Sequence, residues 1–264
     1  MDNNDSSALR LTVLGTRGSV PVEGENFARY GGATSCYKVQ AGDEEIYLDA
    51  GSGIVSSLPA PNSRITILLT HMHLDHLIGL PFFIALTEKD RPIDIYAAAR
   101  AGLAPQEAID RVISNPFWPC KIEDYPAAVK FHLLPERFAL GDVSVDTLEG
   151  SHPKGSTIYR LTYRNKSIVH ATDFEHNSTA CAALADFAKG CDLLLYDAQY
   201  TADEYERYRG YGHSTPQEGL KIAAAAGVKK LLFVHHAPLR NDAALDDLER
   251  QFGAFAKVGD EFSL

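Results

Sequence analysis

Short apolar runs broken by glycine and polar turns dominate the first half of the chain. They fall at residues 11–14, 36–39, 46–48 and 65–69, with Gly31-Gly32 and Gly51-Ser52-Gly53 between them. Runs of that length, bounded in that way, predict strands. Helical spacing in this half is confined mainly to residues 105–113, with a shorter helical stretch around 77–80.

The second half alternates more regularly. Strands are predicted over 157–163 and 167–170, a helix near 179–189, and a strand over 192–196. The next helix carries its own punctuation: Thr215 as cap, Pro216 at the first helical position, Glu218 three residues after the cap, and Gly227 just beyond an alanine run. A strand over 230–234 and a helix from about Asp242 follow. Early strands with interleaved later helices predict an α/β chain, with two mixed sheets packed face to face and helices outside, a four-layer αββα sandwich. No composition break, linker or internal period divides residues 1–264, which read as one domain.

Composition narrows the functional classes. Hydrophobic residues make up 45% and charged residues 23%, which excludes a disordered, collagen-like or coiled-coil chain. The 25 Lys and Arg against 35 Asp and Glu give a net charge of −10, whose field repels polyanions and disfavours large nucleic acid as a partner. Cys36, Cys120, Cys181 and Cys191 lie far apart without a Cys-x-x-Cys pair, unlike a disulfide scaffold or zinc ribbon, and fit the reducing cytoplasm. The polar, acidic start MDNNDSSALR does not resemble a signal peptide, and no apolar run approaches the roughly 18 residues of a membrane span, so no membrane partner is expected.

Four apolar runs end in a histidine or an aspartate: 65–69 leads to His71, 167–170 to Asp173, 192–196 to Asp197 and 230–234 to His235. Ligand sites of α/β sheets lie beyond the carboxyl ends of strands, so these four ends are expected to converge. The densest signal is THMHLDH, with His71, His73, Asp75 and His76 within six residues. Residues two apart in an extended segment point the same way, so His71 and His73 suit one ion, while Asp75 and His76 suit a second. Imidazole and carboxylate favour Zn²⁺, with Mn²⁺ or Fe also accommodated. Four ligands do not fill two coordination shells. The strand ends offer the remainder in His152, Asp173 and either His235 or His236, with His235 favoured because it directly ends its strand.

The run His71-Met72-His73-Leu74-Asp75-His76 matches the His-x-His-x-Asp-His signature without substitution, and the chain resembles the metallo-β-lactamase superfamily of binuclear metallohydrolases. LGTRGSVP, YLDAGSG, HPKG, ATDFEH and FVHHAP extend the resemblance over almost the whole chain. It implies that His71, His73 and His152 hold one metal, that Asp75, His76 and His235 hold the other, and that Asp173 bridges them. It also implies that Asp49 supports the metal loop without binding metal. Redox diiron members carry Glu where this chain has His73, which favours hydrolysis.

GHST around His213 resembles the branch containing ribonuclease Z and cyclic-nucleotide phosphodiesterases, where such a histidine is catalytic and an acidic partner, here Asp197, ends the preceding strand. An imidazole needs a carboxylate to fix its tautomer and support its protonated form. His213, Asp197 and Asp75 therefore make up the expected catalytic set. Glu175 and His176, after the bridging position, are candidates for touching substrate. His132 is expected to be packed in an apolar run, and Cys120 to be buried without nucleophilic use.

The implied chemistry is phosphodiester hydrolysis. As the resemblance implies, two cations would supply Lewis acidity to activate a water for attack on phosphorus, and His213 would protonate the leaving alkoxide. No long basic insertion resembles the tRNA-gripping arm of ribonuclease Z, and the charge of −10 lacks a surface for a phosphate backbone, so a small or cyclic nucleotide-type phosphodiester is the expected substrate. The alternatives are tRNA 3′ cleavage, hydrolysis of a lactone, thioester or β-lactam, and a regulatory metal-binding protein without catalysis. A homodimer is what such relatives suggest.

Overall fold

A computed structural model describes residues 8–61 and 63–264. Residues 1–7 of the acidic start lie outside the described residues. The first sheet contains β1 (Leu9–Gly15), β2 (Cys36–Ala41), β3 (Glu44–Leu48), β4 (Ile65–Leu68), β5 (Pro92–Ala97) and β6 (Ala128–Leu133), neighbours in chain order. The second contains β7 (Arg137–Leu140), β8 (Val143–Gly150), β9 (Ser156–Tyr163), β10 (Lys166–Ala171), β11 (Leu193–Asp197) and β12 (Leu231–Val234), also in chain order. The C-terminal β13 (Glu261–Ser263) returns to pair with the free edge of β1.

Residues alternate across each strand, so one face of each sheet supplies the core between them. Leu9, Leu11 and Val13 of β1 meet Val145, Leu161, Ile168 and Leu195 of the second sheet there. Strand β11 is buried at every position because helices cover its other face. Those helices are α2 (Ser178–Phe187), α4 (Pro216–Ala226) and α5 (Asp242–Phe252), while α1 (Pro105–Asp110) lies outside the first sheet and α3 (Ala202–Tyr208) precedes the GHST turn. The result is the expected four-layer sandwich. At α4 the Thr215 side chain accepts the Glu218 N–H, Pro216 opens the helix and Gly227 closes it at φ +64°.

Several local expectations are corrected. Residues 77–80 form no α-helix: the segment is built of 3-10 turns over Leu74–His76 and Leu80–Phe82. Its backbone is tied sideways, with Ala50 N–H donating to His76 O and Gly79 N–H to Ala50 O, and Pro81 offers no N–H to extend a helix. The helix expected over 105–113 closes at Asp110 and continues as a turn to Ile113. Strands β5 to β8 and helix α3 carry no apolar run strong enough to mark them. β6 alternates between exposed and half-buried positions, and α3 is held by a Thr201–Glu204 capping box, with Tyr205 its one buried residue. Among the described residues no helix is long and apolar enough to cross a membrane.

Candidate metal centre

Strands β3, β4 and β5 run parallel, as do β10, β11 and β12, so their carboxyl ends open toward one end of the sandwich. Asp49, Asp173 and His235 follow β3, β10 and β12 with φ of +62°, +52° and +61°. Non-glycine residues take this left-handed conformation uncommonly, and it concentrates at functional sites. Gly18 lies against this end, where any Cβ would overlap the His235 ring.

The strand-end residues meet in two abutting groups. His71, His73, His152 and Asp173 place one ligand-type atom each within 4.8 Å of the others, and so do Asp75, His76 and His235. Asp173 joins them. Its Oδ1 stands 3.7 Å from His71 Nε2 and 3.9 Å from His152 Nε2, while its Oδ2 stands 3.1 Å from His76 Nε2 and 3.2 Å from His235 Nε2. Asp75 Oδ2 lies 3.3 Å from both His76 Nε2 and His235 Nε2 and receives the Ser19 N–H at 2.6 Å.

The outward hydrogen bonds fix which ring nitrogen faces inward. His152 donates Nδ1–H to the Gly212 carbonyl at 2.9 Å, and His76 donates Nδ1–H to Asp49 Oδ2 at 2.8 Å. That leaves each Nε2 as the ring atom directed at the cluster, a ligand lone pair once the ring is neutral. His152 Nε2 faces His73 Nδ1 at 3.3 Å, and the buried Nε2 atoms of His71 and His76 have no hydrogen-bond partner. Converging lone pairs beside carboxylates fit divalent cations and would otherwise be costly to bury. Asp49 stands behind the ligands, accepting the Thr70 N–H and hydroxyl as well as the His76 ring.

Electrostatics within the buried cluster are polarised. Burial lowers the pKa values of His71 and His152. Burial also works against a charged His76, yet Asp75, Asp173 and Asp49 hold its pKa well above the usual imidazole value, and Asp173 and Asp75 bring His235 up to about 9. Conversely, against burial, the facing His76 and His235 rings hold Asp75 well below the carboxylate range. The adjacent histidines point to opposite sides, with His235 just beyond the end of β12 at φ +61°. His235 points into the cluster, while His236 points away and donates Nε2–H to the Ala256 carbonyl at 2.8 Å.

His213 adjoins both groups. Its Nδ1 bonds Asp197 Oδ2 at 2.9 Å and lies 3.9 Å from Asp173 Oδ1, and its ring stacks on His235 with centroids 4.9 Å apart. With Asp173 and His235 it forms a further set whose ligand atoms lie within 4.8 Å of one another. Glu175 and His176 are engaged by the loop that carries His213. Glu175 accepts the N–H groups of Gly210 and Gly212 and the Tyr205 hydroxyl, while His176 Nδ1 bonds Ser214 Oγ at 2.8 Å. Gly212, at φ +92°, lies so close that a Cβ would overlap His152 Nδ1.

Ser19, Thr70 and Gly212 also support the site, although no ligand-type side chain marks them in the sequence. The turn-like GTRGSVP and the glycine before His213 were the available signals. His132 lies on the edge strand β6, half-buried, bonded through Nε2 to Asp94 at 2.7 Å and stacked on Tyr96. Cys120, expected to be buried, is instead half-buried and forms no disulfide.

The family described as "Beta-lactamase superfamily domain" matches residues 44–236. Ribonuclease Z of Myxococcus xanthus is 23% identical over an alignment covering 87% of each chain. The probable metallo-hydrolase YhfI of Bacillus subtilis is 24% identical, covering 89% of this chain and 92% of its own. The crystal structure of YhfI superposes with a TM-score of 0.75 at 22% identity, covering 98% of this chain and 100% of that one. A diphosphatase of the PhnP family does so with a TM-score of 0.69 at 19% identity, over 97% of each. With a match spanning well over half its length and the histidine–aspartate cluster at the strand ends, the chain belongs to the beta-lactamase superfamily.

Proposed function

We propose that this chain is a binuclear metal-dependent hydrolase acting as a phosphodiesterase on a small phosphodiester, of which nucleotide-type and cyclic esters are one class. His71, His73 and His152 would hold one divalent cation and Asp75, His76 and His235 the other, with Asp173 shared; Zn²⁺ is favoured, with Mn²⁺ or Fe accommodated. Such a pair supplies Lewis acidity, lowering the pKa of a water and clamping phosphoryl oxygens.

The observation that carries the reading is the His213–Asp197 pair beside the cluster. The Nδ1–H is committed to the carboxylate, which leaves Nε2 as the position from which a proton is delivered to a departing alkoxide. Asp197 is fully buried and also receives the Gln199 and Ser214 N–H groups at 3.0 and 3.3 Å, so the imidazole is anchored to a fixed carboxylate. Carbonyl substrates have less need of that pair. The ribonuclease Z relatives make pre-tRNA the second substrate to test. Four unpaired cysteines support a reducing location such as the cytoplasm.

A turnover screen of metal-loaded protein against cyclic nucleotides, linear phosphodiesters, pre-tRNA and carbonyl esters tests the reading. The highest kcat/KM is expected on small phosphodiesters. A preference for pre-tRNA or for a carbonyl ester would overturn it.

A further inference from the structure

A cavity of about 600 Å³ opens beside the cluster, with His73 in its wall and Leu77, Ile78, Phe82, Val112 and Trp118 lining it. Its lining is held in place. Trp118 donates Nε1–H to the Tyr125 hydroxyl at 3.1 Å, Tyr125 donates to the Pro81 carbonyl at 2.8 Å, and the Phe82 ring meets Trp118 edge-on with centroids 4.9 Å apart. Phe82 nevertheless remains 55% exposed and Ile78 43%, although both adjoin a buried site. Apolar surface left open in a concavity marks a ligand more than it marks ordinary surface.

A smaller cavity of about 310 Å³ shares Met72, His73, Arg111 and Val112 with the first and reaches His71. Its wall is mainly apolar, with three basic side chains at its margin. Arg100 and Lys154 line it with Arg111; Arg100 is paired with Glu149 and Arg111 with Glu107. The two cavities share a wall at Met72, His73 and Val112, so a single cleft runs from the cluster into the aromatic section.

We infer that this cleft selects a phosphodiester bearing a flat, apolar aromatic substituent, which lies between Phe82, Ile78 and Trp118 while the phosphoryl group lies at the His71–His73 end. The inference rests on the phosphodiesterase reading and adds the substrate class. Aromatic edges and faces favour a planar ring. The apolar section offers few hydrogen-bonding side chains, which favours an aryl group over a base whose edge needs partners. Continuity with the metal cluster through His73 is what assigns the cleft to substrate, where a second copy of the chain would otherwise be the alternative cover.

Trp118 is the only tryptophan in the sequence, so occupancy is readable from its fluorescence. Diphenyl phosphate, added with and without Zn²⁺, is expected to change Trp118 emission saturably, and dimethyl phosphate is not. Phe82→Ala and, separately, Ile78→Asp, both at partly exposed positions, should weaken the diphenyl phosphate titration about 10-fold or more. Phenyl p-nitrophenyl phosphate and methyl p-nitrophenyl phosphate share a leaving group. The metal-loaded enzyme should favour the phenyl ester in kcat/KM by about 10-fold or more, and either variant should shrink that ratio.

Saturable binding that the variants weaken, without turnover of either ester, would uphold the occupant of the cleft and sink the phosphodiesterase reading. No saturable emission change, or turnover of both esters with no phenyl preference, would overturn the inference. So would a dimer, seen by sedimentation, that Ile78→Asp dissociates and that binds no diphenyl phosphate.

Discussion

His213 reaches Asp197 through Nδ1 at 2.9 Å while stacking on His235, so one imidazole couples a fixed carboxylate to the edge of the metal cluster. His213→Ala is expected to retain two metals by elemental analysis. It should lose on the order of 10²–10⁴ in kcat on an ester with a poor leaving group, and much less on a nitrophenyl ester. Asp197→Asn should show a weaker version of the same pattern. Because Asp197 also receives the Gln199 and Ser214 N–H groups, that variant should melt at lower temperature as well. Loss of metal from His213→Ala would make His213 a ligand, as its grouping with Asp173 and His235 allows.

Metal loading should release protons. In the metal-free protein Asp173 and Asp75 raise His235 to about 9, above neutral pH, and with Asp49 they push His76 in the same direction. A ligand must be neutral, so binding displaces on the order of one proton or more per chain, and affinity weakens as pH falls. Calorimetry of Zn²⁺ binding in buffers of different ionisation enthalpy measures this. Two ions per chain are expected, and a stoichiometry of one that persists in excess metal would remove the binuclear centre.

His235 and His236 should separate cleanly. His235→Ala is expected to lose metal from the site it shares with Asp75 and His76. His236→Phe keeps the buried ring but leaves the Ala256 carbonyl without its donor, which should cost roughly 1–3 kcal/mol in denaturant unfolding while metal content stays at the wild-type value.

Glu175 offers a test of positioning against substrate contact. Its carboxylate holds the Gly210 and Gly212 N–H groups just ahead of His213, so Glu175→Gln should lower kcat by about 10-fold with little change in KM. A large rise in KM at unchanged kcat would instead place Glu175 against substrate.

The local part of the site was legible from sequence because its geometry is local. His71, His73, Asp75 and His76 sit on one short segment after a buried strand, and Thr215, Pro216 and Glu218 define a helix start within four residues. Strand-end logic also pointed to Asp173, Asp197 and His235, since parallel strands bring their carboxyl ends to one side whatever their order. The two-sheet architecture followed from apolar runs alternating with helices.

What only the tertiary structure decided depended on contacts between distant segments. Asp75 meets His235 across 160 residues, and the tautomers of His76 and His152 are set by Asp49 and by the Gly212 carbonyl. Residues 74–82 take 3-10 turns because Ala50 captures the backbone groups a helix would use. The aromatic cleft is a space left between the segments bearing Ile78 and Trp118, and periodicity reports the buried face of one element but not the gap between two.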